Sequence, residues 1–392
     1  MRRSTIWLIG AVLLTALTAS AANPPAVQWT RTFGGNSTHC FSGQQTSDGG
    51  YVLAGWTFSF NDTSGGDVYL AKADSAGNLQ WQRTFGSPGT AEEGKFVLQT
   101  SDKGYVIAGE ADGVVLLLKT DSLGNLRWEK LFATDSPPQY AMCVRQTDDR
   151  GYIVSGGRGD GPQWADLYLL RTDSLGDSLW AKAYAEYGEG SSVRVTDNGC
   201  YIITGLTGQD YQEDMDERSL YLMKTDAAGS LIWRHVYSAQ NADVGSAVLR
   251  TQDGGYIVAG EGTSLVSGNY KDILLMKTDS LGNYLWRRTF GGSKWDGARG
   301  QCVGQTQDGG YIVGGETQSF ERQHGGSYYL VRTDPSGDPL WSKAFDRDCG
   351  NDELCLVQQV SDGGYIVGGT WHIPDVRGAE AVLIRLYPDG QR

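Results

Sequence analysis

Proline is scarce, with 10 in 392 residues, and histidine occurs only 4 times, methionine 5 and cysteine 6. No run of Lys or Arg appears anywhere. Each shortage excludes something. Glycine and proline together make 65 residues, well under the roughly 25–30% that marks a disordered or low-complexity chain. A formal net charge of −13 without basic runs repels phosphate backbones. Nucleic acid and anionic membrane surfaces are therefore disfavoured as partners. No G-x-S-x-G, H-E-x-x-H or phosphate-binding glycine loop occurs, so no ready-made catalytic or nucleotide motif is present. Beyond the first 22 residues, no stretch approaches the ~20 apolar residues a membrane helix needs.

What is abundant is glycine, at 55 residues, with 11% aromatic and 40% hydrophobic residues. That combination describes a turn-rich chain able to build a core. The N-terminus reads as an export signal. Arg2 and Arg3 precede an apolar run from Ile6 to Leu17, and Ala19-Ser20-Ala21 fits a small-residue cleavage site. Residues 1–22 are thus expected to be a signal peptide and 23–392 a single domain. Removing two positive charges and no negative one takes the net charge from −13 to −15. The expectation is a secreted or periplasmic monomer, without membrane insertion.

Internal repetition dominates the rest. The phrase Thr46-Ser47-Asp48-Gly49-Gly50-Tyr51 recurs, with its tyrosine at Tyr51, Tyr105, Tyr152, Tyr201, Tyr256, Tyr311 and Tyr365. A second phrase, Lys119-Thr120-Asp121-Ser122-Leu123-Gly124, leads to Trp128, and its tryptophan recurs at Trp81, Trp180, Trp233, Trp286 and Trp341. Seven tyrosines face six such tryptophans. The seventh is supplied by Trp29, because Trp29 to Gly35 matches Trp286 to Gly292 and the chain stops before the last repeat reaches its own. Each unit reads as four short strands, such as Phe96–Thr100, Tyr105–Gly109, Val114–Lys119 and Leu126–Phe132, punctuated by Asp-Gly and Asp-x-x-Gly turns. A period near 50 with four strands per unit predicts an all-β, seven-bladed β-propeller. The N-terminal strand should complete the last blade. The aspartates recurring from copy to copy mark a turn device rather than one active site, and the tryptophans should pack between neighbouring blades.

The Asp-x-x-Gly-x-x-x-Trp turn resembles the tryptophan-docking repeats of quinoprotein propellers, which read Asp-x-x-Thr-Gly-x-x-x-Trp. Here it is one residue shorter, as in Asp279-Ser280-Leu281-Gly282. Over residues 27–392 the chain more closely resembles secreted bacterial repeat proteins carrying "SDGGYIVAG" and "KTDSxGxxxW". That group is similar in fold to the quinoprotein alcohol dehydrogenase-like superfamily. The resemblance implies architecture; it implies no quinone, and no cofactor is expected.

Naming the strands A to D from the axis outward, the A–B and C–D turns are uniform among the copies, whereas the B–C and D–A loops differ. Functional residues sit on variable loops of rigid scaffolds, so that second face is the candidate binding face. Its aromatics and acids give the candidate ligand residues Trp56, Phe60, Asp67, Trp164, Asp166, Asp210, Tyr211, Asp214, Tyr270, Asp272, Phe320, His324, Trp371 and His372. Aromatics beside carboxylates suit sugar rings or a protein hot spot, so the expected partner is a glycan or protein at the cell envelope. A non-enzymatic binding scaffold is the first expectation. A glycosidase or lyase on the same face, and a purely structural surface protein, are the alternatives. The acidic run Asp210 to Glu217 lacks the glycine of a calcium loop and reads as a solvated segment. His39, His324 and His372 fall on neighbouring blades but lack close metal-ligand spacing, so no metal is expected. Cys143 and Cys302 read as small buried residues in distant blades. A disulfide is read first as Cys349 with Cys355, and second as Cys40 with either.

Overall fold

The repeated phrases become two turns that build each blade. In the A–B turn of the second repeat, Thr100 N donates to Gly104 O (2.9 Å) and Lys103 N to Thr100 O (2.8 Å). Asp102 Oδ1 accepts Gly104 N at 3.0 Å, and the Asp102 carboxylate pairs with Lys119 Nζ of strand C at 3.0 Å. The same pairing recurs as Lys72–Asp48, Arg171–Asp149, Lys277–Asp253, Arg332–Asp308 and Arg385–Asp362. The recurring aspartate thus compensates a base buried within its own blade, which is why it repeats.

The computed structural model describes residues 23–60, 65–133, 138–159, 165–184, 188–208, 218–237, 243–265, 270–298, 300, 302–320, 326–345, 352–373 and 378–389. The proposed signal peptide, 1–22, lies outside them. The described residues contain strands and turns and no helix. They form a seven-bladed β-propeller with four antiparallel strands per blade. The second blade is representative: Glu92–Gln99, Tyr105–Ala111, Val114–Thr120 and Leu126–Phe132, in that order. Strands B and C are buried almost throughout because each blade is covered on both faces by its neighbours. They therefore read as continuous apolar runs, as in Val114-Val-Leu-Leu-Leu118. The outer strand alternates because one side meets water.

The ring closes as the repeat offset requires. Val27–Phe33 pairs antiparallel with Gly378–Leu386, completing the sheet that contains Tyr365–Ile373 and Glu353–Gln359. Each outer tryptophan packs on the turn tyrosine of the next blade: Trp81 on Tyr105 at 5.7 Å, and, across the seam, Trp29 on Tyr51 at 6.0 Å. The indole also covers the C–D turn glycine of that blade. Gly124 has φ +78°, and a Cβ there would meet Trp81 Cζ3 at 2.7 Å. Glycine is required here twice over, for its left-handed backbone and for the room it leaves the ring. In the sixth blade the inner strand is broken into Asp296–Gly297 and Val303–Gln305.

Candidate functional site

The inner strands share a feature beyond their turns. In six blades the A–B register slips by one residue, between Cys40 and Ser42, Gly94 and Phe96, Ala141 and Cys143, Gly190 and Ser192, Gly245 and Ala247, and Leu354 and Leu356. A β-bulge bends its strand and re-aims a side chain. The inserted residues are Phe41, Lys95, Met142, Ser191, Ser246 and Cys355, and all six line one cavity of about 450 Å³. Gly300 completes the collar where the sixth inner strand is broken. All seven blades contribute, so the cavity lies on the ring axis.

Four glutamates line this axial cavity: Glu189, Glu261, Glu316 and Glu353. Lys95 is the one cation among the lining residues. It pairs with Glu93 and sits 4.4 Å above the Phe41 ring. Glu189 is held at both carboxylate oxygens. Tyr140 Oη donates to its Oε2 at 2.9 Å and Ser191 Oγ to its Oε1 at 3.3 Å, while Tyr221 Oη donates to its backbone oxygen at 3.0 Å. It reaches the cavity but is otherwise enclosed by protein. Burial raises its pKa above the ordinary carboxyl value, and the two hydroxyl donors oppose that rise. Glu110 is raised as well, first by burial and then by the charge of Glu93.

Beside Phe41 of this wall lies an aromatic group. The His39 imidazole stacks on Trp56 at 4.5 Å, lies 6.5 Å from Phe41, and meets the His372 ring edge-on at 5.6 Å. Trp56 also meets Phe58 edge-on at 4.8 Å. Burial, then the neighbouring His372, lowers the His39 pKa to about 4, against an opposing pull from Glu93. The His39 ring is therefore uncharged at neutral pH, and with Trp56 it presents flat apolar surface with a polar edge.

The other sequence candidates are placed as follows. Trp371 is half-buried and packs against the core of the last blades. Phe60 stacks on Tyr69 at 6.2 Å and Phe320 leans on Tyr329 at 4.9 Å. Tyr270 is exposed. Asp67 and Asp166 begin strand C of their blades and are half-buried. Asp272 is buried, its pKa raised by burial and by Asp296 against hydrogen bonds from Ser264 and Thr289. Trp164, Asp210, Tyr211, Asp214, His324 and Cys349 lie outside the described residues. Trp56, His39 and His372 are brought together. Among the described residues no group of three or more His, Cys, Asp or Glu is placed to hold a metal ion. Cys143 and Cys302 are buried in separate blades. The collar and its glutamates were missed by reading loops. The bulged residues lie on the inner strands, which differ at most positions from copy to copy, and Glu261 and Glu316 lie on second strands.

The fold and this cavity define a β-propeller with an acidic axial pocket edged by aromatic rings. No protein-family model matches the chain, and no curated protein matches it in sequence. Solved propellers do match in shape. A polysaccharide lyase of family PL25, an ulvan lyase bound to -[GlcA(1-4)Rha3S]-, is 10% identical, with a TM-score of 0.58 over 91% of this chain and 96% of that one. The polysaccharide lyase Uly1 is 8% identical, with a TM-score of 0.56 over 93% and 100%. A protein of unknown function from Dyadobacter fermentans is 10% identical, with a TM-score of 0.53 over 92% and 99%. At these identities the likeness is one of fold.

Proposed function

We propose that the chain is an exported, non-enzymatic binding scaffold of the cell envelope that takes a neutral glycan at the mouth of its axial cavity. The observation that carries this reading is the pairing of the flat His39–Trp56 stack with a cavity walled by Glu189, Glu261, Glu316 and Glu353. Sugar rings stack on such surfaces and their hydroxyls donate to carboxylates. The two propeller lyases act on polysaccharides, and the saccharide bound to one of them carries uronate and sulfate groups. Four glutamates against one lysine repel such a polyanion, so that saccharide class is not carried over. The repeat phrases support placing the chain with the secreted bacterial propeller repeats.

The test is a thermal-shift and calorimetric screen of residues 23–392 against neutral and uronate-bearing oligosaccharides. A ligand that binds only the folded state raises the melting temperature. A neutral oligosaccharide is expected to raise it, and Trp56→Ala to abolish the shift. Binding confined to polyanions, or surviving Trp56→Ala unchanged, overturns the reading. Capture of an envelope protein without any glycan shift would move the partner to a protein.

A carbohydrate-active enzyme on the same wall is the second reading. The burial of Glu189 favours it, because a carboxyl whose pKa burial raises is what a general acid requires. Release of reducing ends from a neutral glycan, lost in Glu189→Gln, would replace binding with catalysis.

A further inference from the structure

The ring has one place where chain continuity does not hold it. The first strand and the last are joined by the backbone hydrogen bonds of Val27–Phe33 with Gly378–Leu386, at the outer edge of blade seven. At the inner edge of the same seam, where blade one meets blade seven, Cys40 Sγ lies 3.4 Å from Cys355 Sγ. Both side chains are buried. We propose that Cys40 and Cys355 are joined as a disulfide that closes the ring covalently.

Three observations converge on this pair. Cys355 is the bulged residue of its strand, turned toward the axis, and Cys40 is the residue just before the bulge in the adjacent inner strand. The backbone that carries Cys40 is already fixed to blade seven: Cys40 N donates to Thr370 Oγ1 at 2.9 Å, and Thr370 Oγ1 donates to Cys40 O at 3.3 Å. Bond formation needs the sulfurs to approach by about 1.4 Å, a side-chain adjustment. Finally, blades two to five carry Gly94, Ala141, Gly190 and Gly245 where blade one has Cys40. They carry Lys95, Met142, Ser191 and Ser246 where blade seven has Cys355. Cysteine occupies these two positions only at the seam. Cys302 and Cys143 stand elsewhere, each directed at a backbone oxygen, of Leu354 and Val193.

The chemistry is a thiol–disulfide exchange with a small disulfide such as oxidised glutathione. One thiolate attacks the oxidant, forming a mixed disulfide and releasing one glutathione thiolate. The second cysteine thiolate then displaces the other. The two cysteines lose two protons and two electrons, and the oxidant is reduced to two thiols. Burial pushes the Cys355 thiol well above its ordinary range, so the folded dithiol reacts slowly. The link therefore forms as blades one and seven come together during folding. A cross-link between residues 315 apart in sequence restricts the unfolded chain over nearly its whole length.

The experiment refolds reduced residues 23–392 in a glutathione redox buffer, blocks free thiols after unfolding, and maps peptides without reduction. This does not depend on export or on the glycan reading, so its failure is separable from theirs. The expected result is one linked peptide pair containing Cys40 and Cys355, two hydrogens lighter than the separate peptides. Reduction should lower the melting temperature by roughly 5 °C or more in the wild type and not in Cys40→Ser. Cys302→Ser should keep the link. Both thiols blocked after oxidative refolding, or Cys355 found linked to Cys349 or Cys302, overturns the proposal. Where Cys40→Ser does not fold, the wild-type map decides alone.

Discussion

The His39 imidazole lies flat against the Trp56 indole, ring centroids 4.5 Å apart and planes within 4°. Trp56 is the cross-strand partner of His39, so the backbone ladder itself sets the contact. With burial and His372 holding the His39 pKa near 4, the folded protein refuses a proton that the unfolded chain accepts with a midpoint near 6.5. The unfolded state then binds more protons between those two values. This histidine subtracts stability as the pH falls through that window. A titration of the His39 ring protons by NMR is expected to show a midpoint near 4. The Trp56 fluorescence should change over the same range, and His39→Asn should remove both signals. A midpoint near 6.5 would mean that water reaches the stack.

Two glycines with similar backbones separate conformational strain from contact. Gly124 and Gly199 have φ of +78° and +69°. A Cβ on Gly199 meets nothing within 4 Å, whereas one on Gly124 meets Trp81 at 2.7 Å. Gly199→Ala is expected to cost about 1 kcal/mol through backbone strain alone. Gly124→Ala should cost about 2–4 kcal/mol, because it must also lift Trp81 from Tyr105. Urea unfolding of the two variants measures the difference. Equal costs would show that the docked indole adds nothing to the blade junction.

These contrasts also explain what the sequence disclosed. Turn residues announce themselves: Asp121, Gly124 and Trp128 recur at fixed offsets because one geometry is needed six times, and Trp29 could be assigned to the last blade from its match to Trp286. The axial collar has no such marker. A bulge adds one residue inside a strand, with no proline or required glycine, so Lys95 and Met142 read as ordinary strand positions. Trp56 and His372 were legible as aromatics near variable loops. Glu189 was not, because its role comes from Tyr140 on the neighbouring blade, 49 residues away.

The turn aspartates set an acid limit. Burial alone would raise the pKa of Asp48. Hydrogen bonds from Thr46, Lys72 and Gly50, together with the charge of Lys72, bring it down to about 2, and Asp253 is held at about 2 by the same set of contacts. A depressed carboxyl pKa contributes stability that is complete above the unfolded value near 4 and is lost as pH falls through the folded one. The stability from urea titrations should therefore decline between about pH 4 and 2. Asp48→Asn should make that decline shallower and lower the plateau above it. No decline below pH 4, beyond the loss His39 contributes between about pH 6.5 and 4, would overturn this role of the aspartates.

Glu189 gives the axial cavity a pH dependence of opposite origin. Its carboxyl is raised by burial and held down by Tyr140 and Ser191, so its ionisation falls above that of an exposed glutamate. A sugar hydroxyl donates more strongly to the carboxylate than to the neutral acid. Affinity for a neutral oligosaccharide is then expected to rise with pH through the Glu189 ionisation and level off. Glu189→Gln should flatten that profile and weaken binding about tenfold or more, the scale of a hydrogen bond to a charged group. Tyr140→Phe removes a donor that stabilises the carboxylate, so the midpoint should move to higher pH while the plateau affinity changes less. Calorimetric titrations across pH read all three curves. A wild-type profile that falls with rising pH would instead assign Glu189 the role of proton donor, and would shift the argument from binding toward acid catalysis on the same residue.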